Sequence, residues 1–273
     1  MGAALKAGTF YSHIARSDRR CGFVMSELEQ PAPRKMPYHE HELPYFTLIL
    51  SGYYNEWDRL GAREFRPMTA VFNPQECQHG SAVGATGTQL FTVEIKREQW
   101  DGLHLPDAPI ADLGAGNLIW KALRLYREFR LGEALEPLTA ESLACELIAA
   151  AVDHRAPDSS PSWWKRTEEY LRANAGSPLR IREVAREAGV HPVHLARVFR
   201  KQTGITPGEY VQSLRVQKAC ARLTSREHSL ADVAVECGFT DQAHMTRLFK
   251  RFTGTTPAAF HNGFRQSSIK AIP

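Results

Sequence analysis

Residues Arg197-Val-Phe-Arg-Lys-Gln-Thr-Gly-Ile-Thr-Pro207 return 50 positions later as Arg247-Leu-Phe-Lys-Arg-Phe-Thr-Gly-Thr-Thr-Pro257. Upstream, Val184-Ala-Arg-Glu-Ala-Gly189 matches Val233-Ala-Val-Glu-Cys-Gly238 at an offset of 49. A repeat of this length means a duplicated supersecondary unit, and two copies are too few for a solenoid. The change of offset places one gained or lost residue between the two blocks. A loop tolerates that, whereas a helix interior does not.

Each copy reads as two short helices joined at a glycine. Ile181, Val184, Ala185 and Ala188 fall at helical spacing and Gly189 ends the run; Leu195, Val198 and Phe199 follow before Thr203-Gly204. The second copy repeats this with Leu230, Val233, Ala234 and then Met245, Leu248, Phe249. Ser229, three residues before Asp232, predicts a capped helix start; Arg180, its counterpart, predicts a poorer one. Short helix, glycine turn, second helix is the helix-turn-helix pattern. Its geometry lets the first helix brace the second in the major groove. Arg197 and Arg247 suit guanine, Gln242 suits adenine, and Val193 and Ala196 suit thymine methyls. Arg200, Lys201, Lys250 and Arg251 lie further along, where phosphates are reached.

Two packed helical hairpins with solvated arginines would give the same local pattern, and charge separates the readings. Residues 163–273 hold 18 basic and 9 acidic side chains, a net +9, whereas residues 1–162 hold 16 and 21, a net −5. A basic nucleic-acid module joined to an acidic partner domain shows this asymmetry.

The paired Val-Ala-x-Glu-x-Gly blocks, each followed by Arg-x-Phe, two basic residues and x-Thr-Gly-x-Thr-Pro, resemble the AraC-type transcription regulators over about residues 163–264. The resemblance implies an all-α C-terminal domain with two helix-turn-helix motifs on double-stranded DNA. Pro207–Leu223 is then the helix joining the two halves. It carries base recognition onto Val193, Ala196, Arg197, Gln242, Ala243, Thr246 and Arg247. His191 and Thr240 stand where the family often has a small hydroxyl residue, and His191 departs from that. A bacterial cytoplasm, a small-molecule effector, and RNA polymerase as a further partner are implied in the same way.

Residues 156–162, Ala-Pro-Asp-Ser-Ser-Pro-Ser, lack apolar period and read as a linker between a domain over 1–155 and one over 163–273. Before the linker, Asn117–Arg130 and Leu138–Val152 show helical spacing, through Leu118, Ala122, Leu125, Tyr126 and Phe129 and through Leu143, Leu147, Ile148 and Ala151. Arg124, Arg127, Glu128 and Arg130 fall on the other side of the earlier helix. The pair can pack on its own domain; by the resemblance it forms a homodimer interface.

Before residue 100 the period becomes two. Phe46–Leu50, Thr69–Phe72 and Leu90–Ile95 are strands separated by Ser51-Gly52, Asn73-Pro74 and Gly84–Gly87, which predicts a β-sandwich or barrel. Residues 1–38 are either its first strands or an arm. His39-Glu-His41 and Pro74-Gln-Glu-Cys-Gln-His79 resemble the two motifs of a cupin barrel, whose histidines can hold Fe, Mn or Zn. The pattern is broken: Tyr45 and Phe46 stand where a glutamate belongs, and Met68 and Glu76 where glycines belong. Cys77 is weak as a substitute ligand. A metal-free scaffold is therefore expected, with no cofactor. Tyr45, Tyr53, Trp57, Phe72 and Phe91 read as inner aromatic positions, mostly core. A candidate effector pocket takes His39, His41, Tyr45, Phe72 and His79.

No apolar stretch is long enough to span a membrane and no secretory leader is seen. Five cysteines without C-x-x-C spacing suggest reduced thiols. Nucleotide-binding loops and a nucleophile elbow are missing, so no catalytic residue is expected. Three readings follow: a ligand-responsive DNA-binding regulator, a metal-dependent cupin enzyme fused to a DNA-binding domain, and an RNA or acidic-protein binder. The last lacks aromatic single-strand platforms.

Overall fold

Alternating and punctuated segments build β1 (Ala3–Leu5), β2 (His13–Arg20), β3 (Phe23–Gln30), β4 (Arg34–His41), β5 (Tyr45–Asp58), β6 (Gly61–Phe65), β7 (Ala70–Asn73) and β8 (His79–Ile95). Helices α1 (Arg97–Trp100), α2 (Asn117–Leu131) and α3 (Pro137–Asp153) follow. The computed structural model describes residues 3–20, 22–31, 33–110, 117–131, 137–153, 161–224 and 228–267. The chain divides into two units, Met1–His154 and Arg155–Pro273. Of the expected linker, 156–160 lie outside the described residues.

The first unit is a curled eight-stranded sheet in which β8 is the spine. Its first half pairs with β4 and its second with β3, while β5 runs antiparallel along the other edge. Residues before 38 are thus strands: β1 joins β4, and β2 joins β3.

Two expected turns are corrected. Ser51-Gly52 lies inside β5 and Gly84–Gly87 inside β8, where register shifts mark bulges. Gly52 sits at φ 76° with Gly87 opposite; a Cβ on Gly52 would lie 1.9 Å from the Gly87 carbonyl oxygen. Turn chemistry here bends two long strands rather than ending them. The bulge also shifts side-chain alternation, so Tyr54 turns inward (9% exposed) and the expected Tyr53 is 50% exposed. Trp57 shares that outer side, with its ring against Gly80 and under Lys35.

The sheet buries both faces. Inside lie Leu28, Met36, Ile49, Tyr54, Phe65, Val71, Val83 and Leu90. On the other face Phe91 packs on Tyr126 and Phe129 of α2, with ring centroids 5.2 and 5.1 Å apart. Glu27 of β3 is buried there. It accepts from the Tyr126 hydroxyl (3.0 Å) and pairs with Arg130 (2.9 Å), while Arg16 donates to the carbonyls of Phe129 and Arg130. The apolar side of α2 is therefore occupied by its own sheet, and Arg130 points into that interface rather than covering a solvent face.

The second unit is helical: α4 (Trp164–Asn174), α5 (Ile181–Ala188), α6 (Pro192–Thr203), α7 (Pro207–Leu223), α8 (Leu230–Glu236), α9 (Gln242–Thr253) and α10 (Pro257–Ser267). Helix α7 buries Tyr210, Leu214, Val216, Ala219 and Leu223 between the two copies of the repeat. None of the described helices is long and apolar enough to cross a membrane.

Candidate nucleic-acid interface and histidine cluster

The repeated Thr-Gly-x-Thr-Pro is a helix stop followed by a helix start. Gly204 and Gly254, both at φ 74°, close α6 and α9 in the left-handed conformation that glycine supplies at least cost. Thr203 and Thr253 hydroxyls each donate to the carbonyl four residues back, at 2.8 Å. Thr206 and Thr256 then cap α7 and α10, and Pro207 and Pro257 occupy the first helical position. The same five residues fold the same way twice because every bond they need is local.

The extra residue of the second copy sits in the turn. The amide of residue 190 bonds to Ala185 and that of Phe239 to Ala234, an offset of 49, but the next caps are His191 and Asp241, an offset of 50. Asp241 Oδ1 accepts from the His244 amide at 2.6 Å, whereas His191 Nδ1 accepts from Val193 at 3.3 Å. Thr240 instead precedes the cap, its hydroxyl 3.0 Å from His244 Nδ1. Sequence reading missed Asp241; an aspartate just before a helical run was the available signal. On α8, Ser229 caps as expected. On α5 the Arg180 side chain caps nothing, and the Glu183 carboxylate takes the Arg180 amide instead (3.0 Å).

Helices α6 and α9 divide cleanly by face. Leu195 and Phe199, like Met245 and Phe249, are fully buried. Val193, Ala196, Arg197, Arg200 and Lys201 share the opposite face of α6, and Val193 is 71% exposed. On α9 the same spacing places Ala243, Thr246, Arg247, Lys250 and Arg251 outward, with Gln242 exposed at the N-terminus. No ion pair among the described residues engages Arg200, Lys201 or Lys250, but Arg251 pairs with Glu209 of α7 at 3.1 Å. That pair is solvent-exposed and competes only weakly with a phosphate.

The pattern of a family described as a helix-turn-helix domain matches residues 184–263, which run from within α5 through α6 and the second helix pair into α10. The second unit carries an AraC-type helix-turn-helix domain. It is similar to the HTH-type transcriptional regulator Rv1931c of Mycobacterium tuberculosis, 37% identical over 68 residues, 25% of this chain and 26% of that one. It is also similar to the probable transcription factor PqrA of Proteus vulgaris, 38% identical over 82 residues, 30% and 66% of the two chains. The chain thus spans a quarter to two thirds of these relatives. Over both units, the crystal structure of ToxT K231A from Vibrio cholerae aligns at 10% identity and TM-score 0.39, covering 90% of this chain and 100% of that one.

In the first unit three histidines converge. His39 and His41 point to one face of β4, and His39 pairs across to His79 of β8. They are 4%, 3% and 2% exposed, and their candidate ligand atoms all lie within 4.8 Å of one another. Burial, followed by mutual repulsion, pushes His39 down to about 4 and His41 to about 3, and burial lowers His79. All three are therefore neutral at pH 7. The glutamate that the sequence lacks is replaced in space by Tyr45, whose hydroxyl lies 3.3 Å from His79 Nε2. Cys77 offers its carbonyl to His79 Nδ1 (3.0 Å), and its thiol does not join the cluster. Met68 and Glu76, the two missing glycines, hold φ of 65° and 57°. The backbone keeps the left-handed turns that glycine would favour, at a cost of roughly 1–2 kcal/mol each.

Around the cluster, Phe10 and Tyr11 pack on the rings of His41 and His39, at 5.4 and 5.0 Å. Leu28, Met36, Thr47 and Leu90 join His39, His41 and Tyr45 around a free volume of about 30 Å³, which His79 does not line. Phe72 is not part of this lining; it is buried against Phe46 at 5.1 Å, on the other side of the strand. Of the five aromatics expected inside, only Tyr45 faces the cluster. A larger, open groove of about 380 Å³ runs beside it past Tyr38, Asp58, Arg59, Leu60, Cys77 and Asp107.

Proposed function

We propose that the whole chain is a sequence-specific DNA-binding transcription regulator that responds to a small effector held in its first unit. The observation that carries this reading is the duplicated face: Arg197 and Arg247, equivalent in the repeat, stand outward on helices anchored by buried Phe199 and Phe249. Two helix-turn-helix motifs, α5–α6 and α8–α9, present α6 and α9 to major-groove segments. Val193, Ala196, Arg197, Gln242, Ala243, Thr246 and Arg247 read bases, and Arg200, Lys201, Lys250 and Arg251 hold phosphates. The first unit is taken as a cupin-like barrel over about 1–155, with His39, His41, Tyr45 and His79 as its effector residues. Self-association is placed on the outward face of α3, where Cys145, Glu146 and Ala149 are exposed, since the apolar face of α2 is buried on the sheet.

The test is selection of duplexes from a random pool by full-length protein at near-physiological salt. Two short enriched elements about one helical turn apart are expected. Arg197→Ala and Arg247→Ala should each cost about 1–3 kcal/mol on the selected site and relax one position, while Lys250→Ala weakens all sequences alike. Equal arginine losses on selected and random duplex would remove base readout from the reading.

A further inference from the structure

The outward arginines of the two copies stand in different surroundings. Three residues after the caps His191 and Asp241, each helix carries a histidine, His194 on α6 and His244 on α9. His194 Nδ1 lies 3.5 Å from Arg197 Nη2, one turn further along the same side of α6. A guanidinium only donates, so Nδ1 accepts and the ring carries its proton on Nε2. The ring is itself held from behind. Trp163, just ahead of α4, meets it edge to face at 6.1 Å; Trp163 packs on Trp164 at 6.2 Å, and Trp164 on the buried Phe199 at 4.9 Å. An unbroken series of rings thus runs from the core of the unit to the outward guanidinium. In the second copy the histidine is engaged elsewhere. His244 Nδ1 accepts from the Thr240 amide (3.3 Å) and lies 3.0 Å from the Thr240 hydroxyl, with its ring against Phe239 at 5.7 Å. No lone pair is left there for Arg247. The group that acts on Arg247 is instead the carboxylate of Asp241, held below its ordinary range first by the His244 amide and further by the Arg247 charge.

We infer that His194 is a positioning residue for base readout: it holds the Arg197 guanidinium in the direction that meets a base edge, a task its repeat counterpart His244 does not perform. The inference rests on the regulator reading. Bidentate pairing with guanine needs the arginine fork presented in one plane, and an arginine free to rotate loses side-chain entropy when fixed there. A side chain already held when DNA arrives loses less, and the difference is felt only where the matching base is present. Nη2 has a second proton, so the contact with His194 leaves the fork available. The two copies also differ in charge. An accepting imidazole adds none, so Arg197 meets DNA with its charge undiminished, whereas Asp241 offsets part of that of Arg247. The two elements of the binding site should therefore respond to different substitutions.

The experiment measures binding of full-length protein to the selected duplex, to the same duplex altered at one element or the other, and to random duplex. His194→Ala should lower discrimination about fivefold or more at the position that Arg197→Ala relaxes, with the second element and random duplex changed by less than about twofold. His194→Asn, whose amide oxygen can stand near the place of Nδ1, should restore most of that discrimination, a response that lost packing would not show. In an Arg197→Ala background, His194→Ala should lower discrimination no further. His244→Ala should leave discrimination at both elements unchanged. Unchanged discrimination in His194→Ala, an equal loss on random duplex, no recovery in His194→Asn, or additive losses with Arg197→Ala would overturn the positioning role. A loss of discrimination in His244→Ala equal to that in His194→Ala would overturn the difference between the copies. Selection of no duplex by the unmodified protein would instead remove the regulator reading, and this inference with it.

Discussion

In the second unit the buried polar side chains, among the described residues, are the hydroxyls of Thr167, Ser213 and Thr253, while the first unit encloses His39, His41, His79, Glu27, Glu56, Asp58 and Glu94. The three hydroxyls each donate to a carbonyl within their own helix, at 2.8–2.9 Å, so burying them costs little. Three carboxylates of the first unit find their cations across strands or from α2: Arg130 for Glu27, and Arg63 for both Glu56 and Asp58. A dry core fixes a rigid helical frame and leaves all chemistry on the surface, as DNA reading requires. A polar core is stable only if its groups satisfy one another or a guest. The contrast separates the two candidate sites: exposed side chains on α6 and α9, buried histidines on β4 and β8.

The largest expected effect breaks the dry core. Phe249→Ala removes a fully buried ring that meets Phe260 at 5.3 Å and should cost about 3–5 kcal/mol. Hydrogen exchange read peptide by peptide should place the loss in residues 161–267 and spare β3, β5 and β8. A loss shared by both units would mean that they do not fold as separate cores.

Acid tests the polar core. In the unfolded chain each imidazole protonates near its ordinary 6.5, but folded His39 waits until about 4 and His41 until about 3, with His79 also lowered. Unfolding therefore takes up protons, and stability falls as pH drops below 6.5. Glu56 and Glu94, raised to about 7 chiefly by burial, work oppositely: their contribution is present below 4.5 and lost as pH rises through 7. Between 6.5 and 4.5 the two carboxylates offset His39 and His41, and the lowering of His79 tips the balance, so stability falls toward acid. Urea unfolding of metal-free protein, followed in first-unit peptides, should weaken toward acid across that window. A flat profile would mean that the carboxylates balance the histidines, and a rise toward acid that they outweigh them.

The smallest effect sharpens a difference inside the repeat. Ser229→Ala removes a cap that accepts the Asp232 amide and should cost about 1 kcal/mol, whereas Arg180→Ala removes no capping side chain and should cost little. Thermal melts of the two variants decide it; equal losses would deny that the cap matters.

Legibility followed the range of the interactions. The duplicated helices, their glycine stops and the outward arginines could be read directly, because each rests on spacing within a single element. The strand segments could also be read, but not their continuity. Gly52 signals a turn in a short window, and only the facing Gly87 shows it to be a bulge. That one bulge explains why Tyr53 and Trp57 face outward and Tyr54 inward. Met68 and Glu76 mislead in a related way, since residue type suggests a lost turn while the backbone retains it.

By itself the sequence determined two copies of a helix pair and the charged face each carries, because helix starts, stops and amphipathic faces depend on residues at most a few positions apart. Only the tertiary structure decided that His39, His41 and His79 meet while Cys77 and Phe72 do not, and that α2 is buried on the sheet rather than left free. Those outcomes depend on strand register between residues some forty positions apart, and register is set by the packing of the whole sheet, which no local pattern records.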